Sequence, residues 1–242
     1  MGKPFWFVLI TFGLSLRVLY GQGAKQDTVP DNNDAKYVIE NYRSVLGNQL
    51  EVYNGAAYYL LPVAYKGSPY FMEEVHVIPG SVRYNGTWYP NFPLLYDIYA
   101  DVMVGSVKDS LFILRAEKVS DIYLSGHHFI NLDAKNSYNI TPGFYDELYE
   151  GKSQVLVKRI RTVRNSVTAQ TVEVSYENED VIYIKKGNSY YPVDGKGSVM
   201  DVFKDKKKQL NQYLKDNNIR YKNDRELSVV KLSGYYDQIS NK

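Results

Sequence analysis

Three histidines, His76, His127 and His128, and two aspartates, Asp97 and Asp101, are the residues here whose types suit proton transfer or metal binding. His127 and His128 are adjacent in a strand-like run. Neighbours on a strand point to opposite faces, so the two cannot chelate one ion together. A metal site would need one of them beside His76 or a carboxylate, and exposed loop histidines are the plain expectation. Read on one strand, Asp97 and Asp101 share a face about 13 Å apart. The paired carboxylates of a glycosidase sit about 5–10 Å apart. The chain has no cysteine, no glycine-rich phosphate loop and no nucleophile elbow. No catalytic residue, metal ligand or cofactor is therefore assigned. A hydrolase site would have to assemble from distant strands around Asp97, His127 or His128.

The elements that would position these residues are mostly strands. Leu94 to Val104 alternates apolar and mixed positions and reads as one strand. Leu111–Leu114, Val119–Leu124 and Phe129–Leu132 follow, separated by turn signals at Gly105–Ser110 and Ser125-Gly126. Val75–Ile78 and Val82–Tyr84 read as strands around Pro79-Gly80. Asn85-Gly86 is a tight-hairpin signal, with Trp88 and Tyr89 returning. Phe144–Tyr149 and Gln154–Val163 flank a tip at Glu150-Gly151. Val155–Arg164 carries Lys158, Arg159, Arg161 and Arg164, and Val172–Asp180 carries Glu173, Glu177, Glu179 and Asp180. Antiparallel pairing of Val155–Val163 with Val172–Tyr176 would set opposite charges against each other. Lys186-Gly187-Asn188 marks a further hairpin.

Helical spacing occurs at both ends. Tyr37, Val38, Tyr42, Val45 and Leu46 predict an amino-terminal helix. Val199, Val202, Phe203, Leu210, Tyr213 and Leu214 predict a helix over Val199–Asn217, capped by Ser198. A second helix is expected over Asp224–Ile239, with Leu227, Val230, Tyr235 and Ile239 on one face. The face of the sheet around Leu94–Val104 is the natural surface for this pair. The fold class is α+β, mainly antiparallel β (a twisted sheet, sandwich or half-barrel), with an amino-terminal helix and two carboxy-terminal helices.

Residues 1–21 are a different material. Lys3 precedes an almost wholly apolar Phe5–Leu16, and Gly21 and Gly23 supply small residues near a cut. This reads as a signal peptide, cleaved near Gly21-Gln22 or Gly23-Ala24, with an uncleaved anchor as the alternative. Removing Lys3 and Arg17 leaves 27 basic against 27 acidic residues, which gives no support to nucleic-acid binding. The expected layout is a signal peptide (1–21), a flexible terminus (22–33), a β-rich body with its helix (34–197) and a helical pair packed on it (198–242). The 24 tyrosines suit sheet surfaces, or a glycan-binding face. Export without cysteine points to the periplasm or cell surface of a Gram-negative bacterium.

Val52-Tyr53-Asn54-Gly55, Gly67-Ser68-Pro69-Tyr70-Phe71, Leu94-Leu95-Tyr96-Asp97, Phe144–Gly151 and the tail from Tyr190 to Tyr236 together resemble a group of uncharacterised secreted proteins of Bacteroidota. The group has no assigned activity, so the resemblance implies origin and export and no chemistry. The leading expectation is a non-enzymatic envelope protein that binds an envelope protein, a lipid or other apolar ligand, or a glycan through a sheet surface. No transmembrane span is expected after signal cleavage. The alternatives are the secreted hydrolase above and an outer-membrane barrel, which the charged helical tail opposes.

Overall fold

Alternating sequence becomes strand between Ile78 and Val193. The computed structural model describes residues 51–60, 66–108, 110–133, 139–167 and 172–240. The expected signal segment, the 22–33 terminus and the Tyr37–Leu46 helix lie outside the described residues.

The strands are β1 (Ile78–Tyr84), β2 (Thr87–Asp97), β3 (Val102–Val107), β4 (Ser110–Ile113), β5 (Val119–Leu124), β6 (His127–Leu132), β7 (Gly143–Glu150), β8 (Ser153–Lys158), β9 (Arg161–Val167), β10 (Val172–Asn178), β11 (Val181–Lys186) and β12 (Ser189–Val193). Ten form one antiparallel sheet in the order β12-β11-β8-β7-β6-β5-β1-β2-β3-β4, while β9 and β10 form a separate hairpin inserted between β8 and β11. The fold is thus mainly antiparallel β with helices at the carboxy-terminal end. Asn85 and Gly86 both take positive φ, as a primed hairpin turn requires. Pro79 and Gly80 do not interrupt β1; a bulge between Gly80 and Val82 absorbs them.

The connection from β4 to β5 shapes the sheet. It contains a 3₁₀ turn, Ala116–Lys118, and so reaches about 16 Å. In a flat sheet β3, β2 and β1 would separate its ends by about 19 Å. The sheet therefore curls, and its concave side closes over Val82, Phe92, Leu94, Tyr96, Phe112, Ile122 and Phe129, all buried. Gly105 makes that closure possible. A Cβ there would collide with the rings of Phe92 and Phe112.

One row of cross-strand partners follows this inner face across the sheet: Tyr89, Val82, Ile122, Phe129, Asp146, Val157, Ile182 and Val193. Every member is apolar or aromatic except Asp146. On one side of Asp146 the sheet curls over its own core. On the other side, Val155, Val157, Ile182, Ile184 and Val193 are covered by helices α1 (Lys196–Val202), α2 (Lys207–Asp216) and α3 (Arg225–Ile239).

Several sequence expectations are corrected. Leu94–Val104 is not one strand. Chain reversal at Ile98–Asp101 divides it into the end of β2 and the start of β3, which pair with each other. Val155–Val163 is not one strand either. Val155–Lys158 belongs to β8 inside the main sheet, and only Arg161–Val167 pairs with Val172–Asn178. The expected Val199–Asn217 helix is two helices, broken by a 3₁₀ turn at Lys204–Lys206 after Phe203 leaves helical geometry. Ser198 does not cap the first of these. Gly195 does, with the Ser198 hydroxyl folded back onto its amide at 3.2 Å. Asp224 caps α3, accepting from the Leu227 amide at 2.9 Å.

On α3 the buried face is Val229, Leu232, Ser233, Tyr236 and Asp237, and Leu227 is exposed. A polar clamp sets that rotation. The Asp237 carboxylate accepts from the Ser153 amide (2.9 Å), the Ser153 hydroxyl (2.9 Å) and the Tyr149 hydroxyl (3.0 Å), pinning α3 to the β7–β8 turn. The helices accordingly cover β8, β11 and β12, not Leu94–Val104. No helix among the described residues is long and apolar enough to cross a membrane.

Candidate functional site

Asp146 sits alone among apolar neighbours in the inner-face row and needs a counter-charge there. Arg159, at the break between β8 and β9, supplies it. Its Nε lies 3.1 Å from Asp146 Oδ2. The same guanidinium donates to Asp180 Oδ2 at 3.0 Å and to Glu226 Oε1 at 2.6 Å. Burial works against the Arg159 charge, but hydrogen bonds to Glu226 and Asp146 outweigh it and raise its pKa further. Arg159 therefore ties β7, the β10–β11 link and the first turn of α3 together. Two of the charge pairings expected from sequence form, Arg159 with Asp180 at the end of the acidic run and Arg164 with Glu177 at 2.8 Å.

Lys158 points to the other face. Its ammonium lies over the Tyr145 ring, donates to the Phe144 carbonyl at 3.1 Å and pairs with Asp101. Burial pulls its pKa below the ordinary lysine range, and Asp101 holds part of that back. Gly143 is required beside this pair, because it takes φ +131° and a Cβ would strike both charged groups.

The residues around which a hydrolase site was expected go to three places. Asp97 is buried at the end of β2. Its Oδ1 accepts from the Ala100 amide (2.9 Å) and its Oδ2 from the Tyr58 hydroxyl (2.7 Å), so it organises the β2–β3 turn. Burial, with the Tyr70 and Asp97 contacts, pushes the Tyr58 pKa far up, so Tyr58 remains a donor. Asp101 lies in that turn with positive φ and accepts from the Tyr96 hydroxyl at 2.7 Å. The strand geometry that set Asp97 and Asp101 about 13 Å apart thus does not exist. His127 faces inward, edge-on to Phe71, with Nδ1 2.7 Å from Asp146 Oδ2. No serine or threonine hydroxyl hydrogen-bonds His127 among the described residues. His128 faces outward, opposite to His127 as its position on a strand requires. His76 lies in the bend before β1, exposed. No group of three or more metal-ligating side chains occurs among the described residues.

The outward face around His128 carries the arrangement best suited to binding. Tyr123 of β5 stacks on His128 of β6, with centroids 4.5 Å apart and planes 12° apart. Trp88 of β2 leans across β1 to Tyr123, at 5.6 Å and 31°. Only Ser81 and Arg83 of β1 lie on this face between them. Trp88 is 38% exposed and Tyr123 48%. Charged groups line the row. Arg83 Nη1 is 3.7 Å from Asp121 Oδ2, and His128 lies between Asp121 Oδ1 (3.3 Å) and Glu147 Oε2 (2.8 Å). The row crosses three strand spacings, about 14 Å.

The sequence does not mark Trp88 or Tyr123 as site residues. One signal was available. Tyr123 is the outward position between buried Ile122 and Leu124, and Trp88 follows a hairpin turn that returns it to the same face. No protein-family model, curated protein or solved structure matches this chain, so the assignment rests on geometry.

Proposed function

We propose that the chain is an exported, non-enzymatic envelope protein that binds a glycan on the outer face of β6, β5, β1 and β2. The observation that carries this reading is the exposed Trp88–Tyr123–His128 row flanked by Arg83, Asp121 and Glu147. A sugar ring offers apolar C–H faces and a rim of hydroxyls. Aromatic rings meet the first, and fixed charged groups meet the second. The length of the row suits an oligosaccharide better than a single sugar. Export rests on the 1–21 segment, and a Gram-negative envelope on the absence of cysteine and on the resemblance to secreted Bacteroidota proteins.

The test is a titration of the mature protein with envelope oligosaccharides, read by tryptophan fluorescence. Trp88 is the one tryptophan beyond Trp6, so the signal reports on the site itself. Trp88→Ala removes that signal, so it is compared with the parent by calorimetric titration, where it should weaken binding by about 2 kcal/mol, roughly thirtyfold, with little change in unfolding midpoint. Saturable binding that Trp88→Ala and Tyr123→Ala leave intact would place the ligand elsewhere.

The hydrolase alternative has one observation in its favour: the His127–Asp146 pair, held from behind by Arg159. Turnover of glycans or esters abolished by His127→Ala would support it.

A further inference from the structure

The turn from β12 into α1 and the loop from α2 to α3 line a cavity of about 640 Å³. Its walls include Asp194, Lys196, Arg220, Tyr221, Lys222 and Arg225. Four of these are cations. None of the four has a carboxylate partner among the described residues, unlike Arg83, Arg159, Arg164 and Lys186 elsewhere on the molecule. Asp194 is already engaged, its Oδ1 accepting from the Ser198 hydroxyl at 2.9 Å. Asp224, next along the loop, is engaged in capping α3.

Tyr221 adds an independent sign. Its ring is buried in the core under the helices, and its hydroxyl, also buried, makes no hydrogen bond of ordinary geometry among the described residues. Burial raises its pKa and nearby Arg225 lowers it partway; the net shift is upward, so the hydroxyl stays a donor. Four cations against the single carboxylate of Asp194 leave the cavity positive, and a buried hydroxyl with only the Arg225 guanidinium near it has nothing to donate to, which costs free energy. A ligand with several anionic oxygens removes both penalties at once.

We infer that this cavity binds a phosphate monoester. Arg220, Lys222, Arg225 and Lys196 surround the phosphate, and the Tyr221 hydroxyl donates to one of its oxygens. Two guanidinium forks and two ammonium groups suit a dianion with three terminal oxygens better than a single carboxylate. The ester can be a soluble sugar phosphate or a lipid headgroup. The cavity shares no residue with the outer aromatic row, so its function stands independently of the glycan reading.

Calorimetric titration of the full mature chain with phenyl phosphate tests the site, with inorganic phosphate as the minimal probe. Vesicles of phosphatidylcholine with and without phosphatidic acid form the second arm. Saturable binding of phenyl phosphate is expected, weakening as salt rises. Arg220→Gln with Lys222→Gln should reduce affinity about tenfold or more, and Tyr221→Phe several-fold. The two glutamine changes are on exposed side chains and leave the fold intact; unfolding midpoints verify this. Binding to phenyl phosphate alone assigns a soluble ester. Binding to phosphatidic acid vesicles that phenyl phosphate displaces assigns a lipid headgroup. Absence of binding to all these probes, or equal binding by the double variant, overturns the assignment.

Discussion

Lys158 and Arg159 are adjacent basic residues with opposite relations to the fold. Arg159 neutralises Asp146, whose side chain is almost wholly buried and has one oxygen with no partner among the described residues. Replacing Arg159 by Met leaves that carboxylate in the core with only His127 beside it and should cost about 3–5 kcal/mol. The Lys158 ammonium is desolvated, while its partner Asp101 is 30% exposed and keeps the Tyr96 hydroxyl. Lys158→Met keeps the packing over Tyr145 and removes a buried charge, so it should cost no more than about 1 kcal/mol. Urea unfolding of the two variants checks the contrast, and equal losses would show that the Asp146 cluster has been misjudged. The sequence shows both as members of one basic run. Alternation predicts that they face opposite ways, but not that a strand ends between them.

At the scale of elements, two joints differ in strength. The α1–α2 link is locked to β11 by Lys186, which donates to Asp205 Oδ1 at 3.0 Å and to the Val202 carbonyl at 3.1 Å. It lies over the ring of Tyr236, whose stack with Phe203 has centroids 4.1 Å apart. Burial opposes charge on both partners. Even so, hydrogen bonds from Lys186 and Tyr236 leave the Asp205 pKa below the ordinary value, and contacts with Tyr236 and Asp205 leave that of Lys186 above it. The Asp205 contribution is therefore present above about pH 4 and lost as pH falls through its folded value; that of Lys186 is present below about pH 10 and lost as pH rises through its own. Both groups are partly exposed, so the pair contributes less than about 1 kcal/mol. The difference in melting temperature between the parent and Asp205→Asn should be flat between those limits and shrink outside them. The β9–β10 hairpin is the weaker joint. It is largely exposed, and a two-stranded hairpin is marginal by itself. Its anchors are the Lys66 backbone bonds to β10 and the Arg161 contact to the Ser68 carbonyl at 3.1 Å. Hydrogen exchange should find β9 and β10 amides exchanging well before those of β7 and β8; equal protection would mean the hairpin belongs to the core unit.

For the whole molecule, the helices complete the inner face of the sheet. Cutting the chain after Val193 would expose Val155, Val157, Ile182 and Ile184, each contributing about 1.5–3 kcal/mol when buried. Calorimetry of that truncated chain should show no cooperative transition. A melt as sharp and as high as that of the full mature chain would make the helices an appendage. The sequence alone determined the local features. Alternation in Val119–Leu124 and Phe129–Leu132, the turns at Asn85-Gly86 and Lys186-Gly187, and the buried stripe of Leu210 and Leu214 depend on neighbours a few residues away, where spacing is sufficient. Tertiary structure decided what local spacing leaves degenerate. Leu94–Val104 alternates equally well as a strand or as two strands of a hairpin, and the reversal is fixed by Asp97 binding Ala100 and Tyr58. The α3 stripe shifts from Leu227 to Val229, Leu232 and Tyr236 because Asp237 meets the β7–β8 turn. The Trp88–Tyr123–His128 row and the Arg220–Arg225 cavity bring together side chains from separate strands and loops. Strand order sets the first; for the second, Arg220–Arg225 is one stretch of chain, but only the packing of the helices brings Lys196 and Asp194 to it and closes a cavity.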